Sequence, residues 1–419
     1  MRNNRRKGII FGIFFLFIIV GIVLIEYFSV SKNQFEDQMI MINLQDKYVE
    51  EVEEYVKTHH LLLKKEYQYH HSIEKDKVIS QSIEEGTILK DKDTVFIVVS
   101  KGPVPYEVYL QYQVNELGKV PIMMYHGIIN IQNDDTEYTG GNVDQEGYNR
   151  TVEAFRDDLE FYYQNGYRMI RLQDYVDGNI EVELGYSPII LTFDDGSENN
   201  FKVLGEENGE LQIDPNCAVG VLEEFKKKYP DYGVTATFFL NSNLFHQDSY
   251  NGKILKWLVE HGYDIGNHTM TNVDFTKIGV DETIQEIGQM YSILEETISS
   301  QYVSIVALPF GAPYQKTHEN YSSIVDGTYD GKNYHTNAIL RVGWEAEVSC
   351  FDQYFDPFFL KRIRAYDHLG TEFDIEMNFK LLEDSRYISD GDSDTIVVLE
   401  EDVAKVKNSN KIVLSYSSS

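Results

Sequence analysis

The chain has 419 residues, 42% of them hydrophobic, which is room for two or three domains with real cores and excludes disorder along its whole length. Its formal net charge of -31 is opposite to the balance that phosphate backbones require, so nucleic acid is excluded as a partner. Cys217 and Cys350 are its two cysteines, and a single bridge or two free buried thiols are both open; neither makes a disulfide scaffold.

The N-terminus places Arg2, Arg5, Arg6 and Lys7 before an uncharged apolar run from Gly8 to Ile25. At about 1.5 Å per residue the run covers about 27 Å, enough to cross a bilayer. Glu26-Tyr27-Phe28 follows where a cleavable signal peptide would carry small residues. The pattern predicts a single-pass signal anchor over 8–28, a cytoplasmic tail over 1–7, and everything beyond about residue 28 outside the cell membrane. Residues 29–43 read as a short stalk.

Tyr48, Val49, Val52, Tyr55 and Val56 recur at helical spacing among glutamates, which predicts an amphipathic helix. Strand-like pieces follow at Leu61 to Tyr69, Val78 to Ser82 and Thr94 to Ser100, with turns at Gly86 and Asp91-Lys92-Asp93. The wording Lys77-Val78-Ile79-Ser80-Gln81-Ser82, Glu85-Gly86-Thr87 and Thr94-Val95-Phe96-Ile97-Val98-Val99-Ser100-Lys101-Gly102-Pro103 resembles a PASTA domain over 44–103, with Ile83 where that pattern usually carries proline. The resemblance implies a small α+β module outside the membrane of Gram-positive bacteria, one that contacts peptidoglycan or serves as a spacer.

Residues 104–118 read as a tether. Lys119 to Gly127 is an apolar strand that ends in His126, and a helix follows with Val152, Phe155, Leu159 and Tyr162 on one face and Asn165-Gly166 as its stop signal. Tyr167 to Leu172 and Pro188 to Phe193 are the next strands. The second is a continuous apolar run, as in a parallel strand buried on both faces, and it stops at Asp194-Asp195-Gly196. Ser197 to Pro215 reads as a surface loop. A helix near Val219 to Lys228, a strand at Val234 to Leu240, a helix at Ile254 to Glu260, a strand at Tyr263 to Gly266, a helix striped by Ile284, Ile287, Tyr291, Leu294 and Ile298, and a strand at Val303 to Leu308 complete an alternating pattern. That alternation predicts an α/β fold with a parallel sheet, open or closed into a barrel. By itself Asp-Asp-Gly is equally the wording of an acidic turn. In a parallel fold, however, His126, Asp194, Asp195 and His268 all lie at strand ends that gather on one face, and carboxylate oxygen with imidazole nitrogen is an ordinary zinc ligand pair.

Thr192-Phe193-Asp194-Asp195-Gly196, Ala236-Thr237-Phe238-Phe239, His261-Gly262-Tyr263-Asp264-Ile265-Gly266-Asn267-His268-Thr269 and Leu308-Pro309-Phe310-Gly311 together resemble the polysaccharide deacetylase domain (NodB homology, carbohydrate esterase family 4) over 119–400, leaving 401–419 as a C-terminal tail. The resemblance implies a deformed (β/α) barrel of seven or eight strands, a divalent metal, commonly zinc, and hydrolysis of acetyl groups on a glycan, here the cell-wall peptidoglycan or a related polysaccharide. It makes Asp194 the general base, Asp195 and His268 metal ligands, and the backbone N–H of Phe310 an oxyanion donor.

Three positions depart from the family pattern. Asn272 stands where a second histidine ligand is usual, so the third ligand is an amide oxygen or water. Ala307 replaces an arginine that pairs with the catalytic aspartate, and the late histidine that serves as general acid is absent from Thr395 to Glu401. Either the site is rebuilt, with His126 or with His368 beside Arg362 and Arg364 as the acid, or the fold persists as a degenerate binder of cell-wall glycan. Trp344 and Tyr314 are candidate sugar-stacking rings, and a single tryptophan is equally a core residue.

Overall fold

The computed structural model describes residues 39–131, 143, 148–367 and 374–417. The chain divides after Pro103 into two compact units. Among the described residues no helix is long and apolar enough to cross a membrane; the expected span over 8–28 lies outside them, as does His368.

In the first unit, Val49, Val52 and Val56 form the buried face of the helix Val49–Thr58, which carries Glu50 and Glu51 in its first turn and Lys57 in its last, matching the helix dipole. This face packs on a three-stranded sheet in which Thr94–Ser100 is central, parallel to Leu62–Gln68 and antiparallel to Val78–Gln81. Val95, Ile97 and Val99 alternate into the core. Met41 and Leu44 are buried there too, and the Met41 N–H bonds the Thr87 carbonyl, so the last residues of the expected stalk belong to the module.

The second unit is built on eight parallel strands. Their order is Ala338–Leu340, Ile305–Ala307, Asp264–Asn267, Thr237–Leu240, Ser187–Phe193, Ile122–Tyr125 and Ile363–Arg364, with Tyr167–Met169 paired to the first half of Ser187–Phe193. Every residue of Ser187–Phe193 and Ile122–Tyr125 is buried, as a parallel strand covered on both faces requires. Alternation along the strand assigns the two faces. Ile189, Leu191 and Phe193 join the helix-side core with Phe155, Leu159 and Leu222, whereas Ile190 packs with Phe239, Ala307 and Leu340 in the curl of the sheet.

The two edges of this curled sheet are spanned by one short segment. Leu360 bridges to Leu340 at one edge, while Ile363 and Arg364 pair with Met123 and Met124 at the other. Arg362 therefore lies between the two attachments, and its side chain is fully buried.

Three expectations about the surroundings are corrected. The tether 104–118 is part of the domain: Tyr106–Tyr112 is helical, Val114 and Glu116 are buried, and Asn115 bridges to Ile388. The tail 401–419 contains the strand Ile412–Tyr416, which pairs in parallel with Thr395–Leu399 and buries Tyr416. The Ser197 to Pro215 loop holds a hairpin of Val203–Glu207 and Glu210–Ile213, pinned by the buried Phe201. Cys217 and Cys350 are free and buried.

Candidate active site

Asp194 follows Thr192 and Ile190 on the inner face of its strand, and its N–H continues the ladder to the Tyr125 carbonyl at 2.9 Å. Its carboxylate meets Arg362 in a planar two-pronged pair: Nη1 donates to Oδ1 at 2.8 Å and Nη2 to Oδ2 at 2.7 Å. The guanidinium is fixed from behind, since Nη1 also reaches Thr192 Oγ1 at 3.2 Å and Nε donates to the Arg341 carbonyl at 3.1 Å. Burial pushes the Asp194 pKa upward, but the charges of Arg362 and His268 outweigh it and bring the group down to about 2.

Asp195 turns out of the strand with φ 71°, a conformation that aspartate tolerates better than most residues. Gly196 follows at φ 60°, the left-handed region that favours glycine, and a Cβ there would sit 2.7 Å from Leu240 Cδ2 and push that side chain aside. Asp195 Oδ1 lies 3.3 Å from His268 Nε2 and accepts from Asn272 Nδ2 at 3.0 Å. His268 is oriented by its other nitrogen, Nδ1, which lies 2.9 Å from the Ala307 carbonyl, leaving Nε2 to face Asp195. Burial opposes a proton on His268, yet Asp194 and Asp195 outweigh it and raise its pKa; burial likewise opposes charge on Asp195, and His268 overrides it. Asn272 is placed by a tight loop in which Thr269 Oγ1 accepts from the Asn272 N–H at 3.0 Å, and both residues have positive φ.

His126, at the end of the neighbouring strand, faces the same cavity. Its carbonyl accepts from Asn200 Nδ2 at 2.6 Å, its ring meets Tyr148 edge to face at 5.0 Å, and its buried Nδ1 has no hydrogen-bond partner among the described residues. Burial lowers its pKa against the pull of Asp194 and Asp195. Phe310 completes the wall at φ 58°; the N–H groups of Gly311 and Ala312 beside it bond the Leu308 and Pro309 carbonyls.

These groups line one cavity of about 390 Å³, with Tyr148, Asn149, Ser197, Leu308 and Val342. The structure thus brings together Asp194, Asp195, His268, Asn272, His126 and Phe310. It leaves Trp344 and Tyr314 out: both are exposed, at 51% and 59%, and neither lines the cavity, because Val342 rather than Trp344 is the residue of its loop that turns inward. A larger cavity of about 810 Å³ lies against the helices Val152–Gln164 and Ile375–Leu382, and among the described residues its lining contains acids and bases but no histidine or cysteine. Arg362 is the residue that sequence reasoning missed in this role. Its one signal is an arginine within the run Leu360-Lys361-Arg362-Ile363, at the spacing that turns it to the same face as Leu360.

Residues 182–324 match the family model for polysaccharide deacetylase, and residues 39–101 match that for the PASTA domain. Over residues 182–324 the chain is similar to polysaccharide deacetylases. The matched stretch holds Asp194, Asp195, His268, Asn272 and Phe310, while His126 and Arg362 lie outside it. Among solved structures, the chain is similar to a Streptococcus pyogenes deacetylase in complex with acetate (17% identity, 63% of this chain and 98% of that one, TM-score 0.45). It is also similar to a polysaccharide deacetylase from Bacillus cereus (18% identity, 63% and 69%, TM-score 0.44) and to a candidate polysaccharide deacetylase from Bacillus anthracis (21% identity, 63% and 69%, TM-score 0.44).

Deacetylases of this family generally depend on a divalent metal. The residues present fit one: a carboxylate oxygen and an imidazole nitrogen converge at 3.3 Å, the imidazole is held by a carbonyl behind it as metal-binding histidines are, and an amide stands alongside.

Proposed function

We propose that this chain is a metal-dependent hydrolase that removes acetyl groups from a cell-wall glycan, peptidoglycan or a related polysaccharide, outside a membrane to which residues 8–28 anchor it. The observation that carries the reading is the division of labour between adjacent carboxylates. Asp194 is locked by Arg362, and Asp195 is turned away from it toward His268 and Asn272.

Asp195 and His268 would hold the ion, with Asn272 beside them; when bound, it supplies Lewis acidity to the site. Asp194, kept ionised and fixed in direction by Arg362, accepts the proton of the attacking water. The Phe310 N–H donates to the acetyl oxygen as charge develops there. His126 passes a proton to the departing sugar atom. Arg362 restores, from the closing segment of the barrel, the guanidinium that Ala307 cannot supply.

The test is acetate release from peptidoglycan and from N-acetylated oligosaccharides by the full-length protein. Asp194→Asn is expected to lose about 10²- to 10⁴-fold in rate while retaining metal, whereas Asp195→Ala and His268→Ala lose both metal and activity. A metal-loaded protein that sediments with cell wall but releases no acetate from any of these substrates would instead establish a degenerate glycan binder.

A further inference from the structure

We infer that Asn272 is a specificity-determining residue of the metal site, compressing the preference for zinc over harder divalent ions such as manganese. The inference rests on the metal-dependent reading above. Two groups approach Asp195 Oδ1: His268 Nε2 at 3.3 Å and the Asn272 carboxamide, through Nδ2, at 3.0 Å, which makes these three residues the candidate ligand set. Two of the three can offer only oxygen to a cation, because an amide nitrogen has no lone pair to give. The set is therefore one nitrogen and two oxygens. Nitrogen and sulfur donors select zinc, and oxygen-rich sets with retained water suit manganese and magnesium.

Asn272 has a second effect. With its Nδ2 donating to Asp195 Oδ1, the amide occupies a coordination direction of that carboxylate. An entering ion must break this bond and turn the carboxamide so that Oδ1 faces inward. Asn272 thus competes with the cation as well as serving it, which weakens every ion and removes the advantage zinc would draw from a second imidazole. The loop is built to hold the amide there: Thr269 Oγ1 fixes the Asn272 N–H, Glu286 binds the Thr271 N–H and hydroxyl at 2.8 Å each, and Asn267 Oδ1 accepts from the Thr269 N–H at 2.8 Å.

Asn272 has φ 56°, a region in which asparagine, aspartate and histidine are all enriched, so Asn272→His and Asn272→Asp suit the backbone as it stands. The experiment is equilibrium titration of the chelator-stripped full-length protein with zinc chloride and with manganese chloride. Chelator competition reads the first, and loss of the free manganese resonance signal reads the second. Asn272→His is expected to raise the ratio of zinc to manganese affinity by about tenfold or more. Asn272→Asp is expected to tighten manganese at least as much as zinc. An unchanged ratio in Asn272→His, or a gain confined to zinc in Asn272→Asp, overturns the inference while leaving the metal site standing. If Asp195→Ala leaves binding of both ions untouched, the metal reading itself fails and this inference with it.

Discussion

Two carboxylate clusters are buried in the second unit, and they solve the same problem in opposite ways. Around Asp194 the fold supplies a full cation: Arg362, with no exposed surface, spans both oxygens, and the acid is held ionised with its pKa near 2. Around Glu116 and Asp390 the donors are neutral. Glu116 accepts from the Tyr387 hydroxyl and the Val397 N–H, each at 2.7 Å, and Asp390 accepts from the Thr395 hydroxyl at 2.6 Å and the Asp392 N–H at 2.9 Å. Burial then raises Glu116 well above its ordinary value, helped by the charge of Asp390, and raises Asp390 to about 6, helped by the charge of Asp392. The difference shows what a charged partner is for: the first cluster keeps a charge ready for chemistry, and the second ties the segments around residues 116, 387 and 397 together through neutral donors, with its acids pushed toward the protonated form.

The largest way to break this comparison is to remove the cation. Arg362→Met leaves the Asp194 carboxylate buried without its partner, and the loss is expected at about 3–5 kcal/mol in metal-free protein. Adding Asp194→Asn to that variant removes the stranded charge and is expected to recover most of it. Chemical denaturation of the two single variants and the double variant measures the coupling; if the double variant is no more stable than Arg362→Met, Asp194 was not being held as an anion.

The second test targets the neutral cluster and is read in pH. The Asp390 pKa is raised in the folded protein from an ordinary 3.8 to about 6. A raised carboxyl contributes stability that is fully present below pH 3.8 and lost as pH rises through about 6. Asp390→Asn can keep both contacts, its oxygen accepting from the Asp392 N–H and its amide donating to Thr395. Between pH 4 and pH 7 the variant is expected to gain on the wild type by about 3 kcal/mol, from about two pKa units. Melting curves at the two pH values decide it, and a parallel fall of both proteins would mean that Asp390 is ionised in the fold.

Much of this arrangement was legible in the sequence, and the part that was not has a physical reason. The strand ending in Asp194 and Asp195 announces itself because a doubly covered parallel strand is apolar at every position, so its first charges mark its end. The helix Val152–Gln164 is equally plain, since its stripe and its Asn165-Gly166 stop are local signals; the structure adds a cap, with Thr151 Oγ1 accepting from the Ala154 N–H at 3.1 Å. Arg362 was hidden because the segment that spans the sheet edges is anchored by a two-residue strand whose partners lie more than 200 residues earlier, at Met123 and Met124. Segments 104–118 and 401–419 looked like connectors for a related reason. Their polar composition conceals pairings made across the whole domain, such as the Tyr416 hydroxyl to the Val114 carbonyl at 2.7 Å. Trp344 misled in the opposite direction, because residue type alone does not say which side of a loop turns inward.

The smallest expected effect tests the neutral cluster most sharply. Tyr387→Phe removes the hydroxyl that donates to Glu116 and leaves the ring packed. That hydroxyl lowers the Glu116 pKa, so its loss pushes further up a group that burial already raises. A protonated carboxyl loses only an ordinary neutral hydrogen bond, so the cost is expected at about 1 kcal/mol and flat between pH 5 and pH 7. An ionised carboxylate would instead lose a charge-assisted bond worth about 1.5–3 kcal/mol, with the loss growing as pH rises. Stability of Tyr387→Phe at the two pH values therefore reports the charge of Glu116 directly: a small, level cost keeps the contrast with Asp194, and a larger cost that climbs with pH makes the two clusters alike.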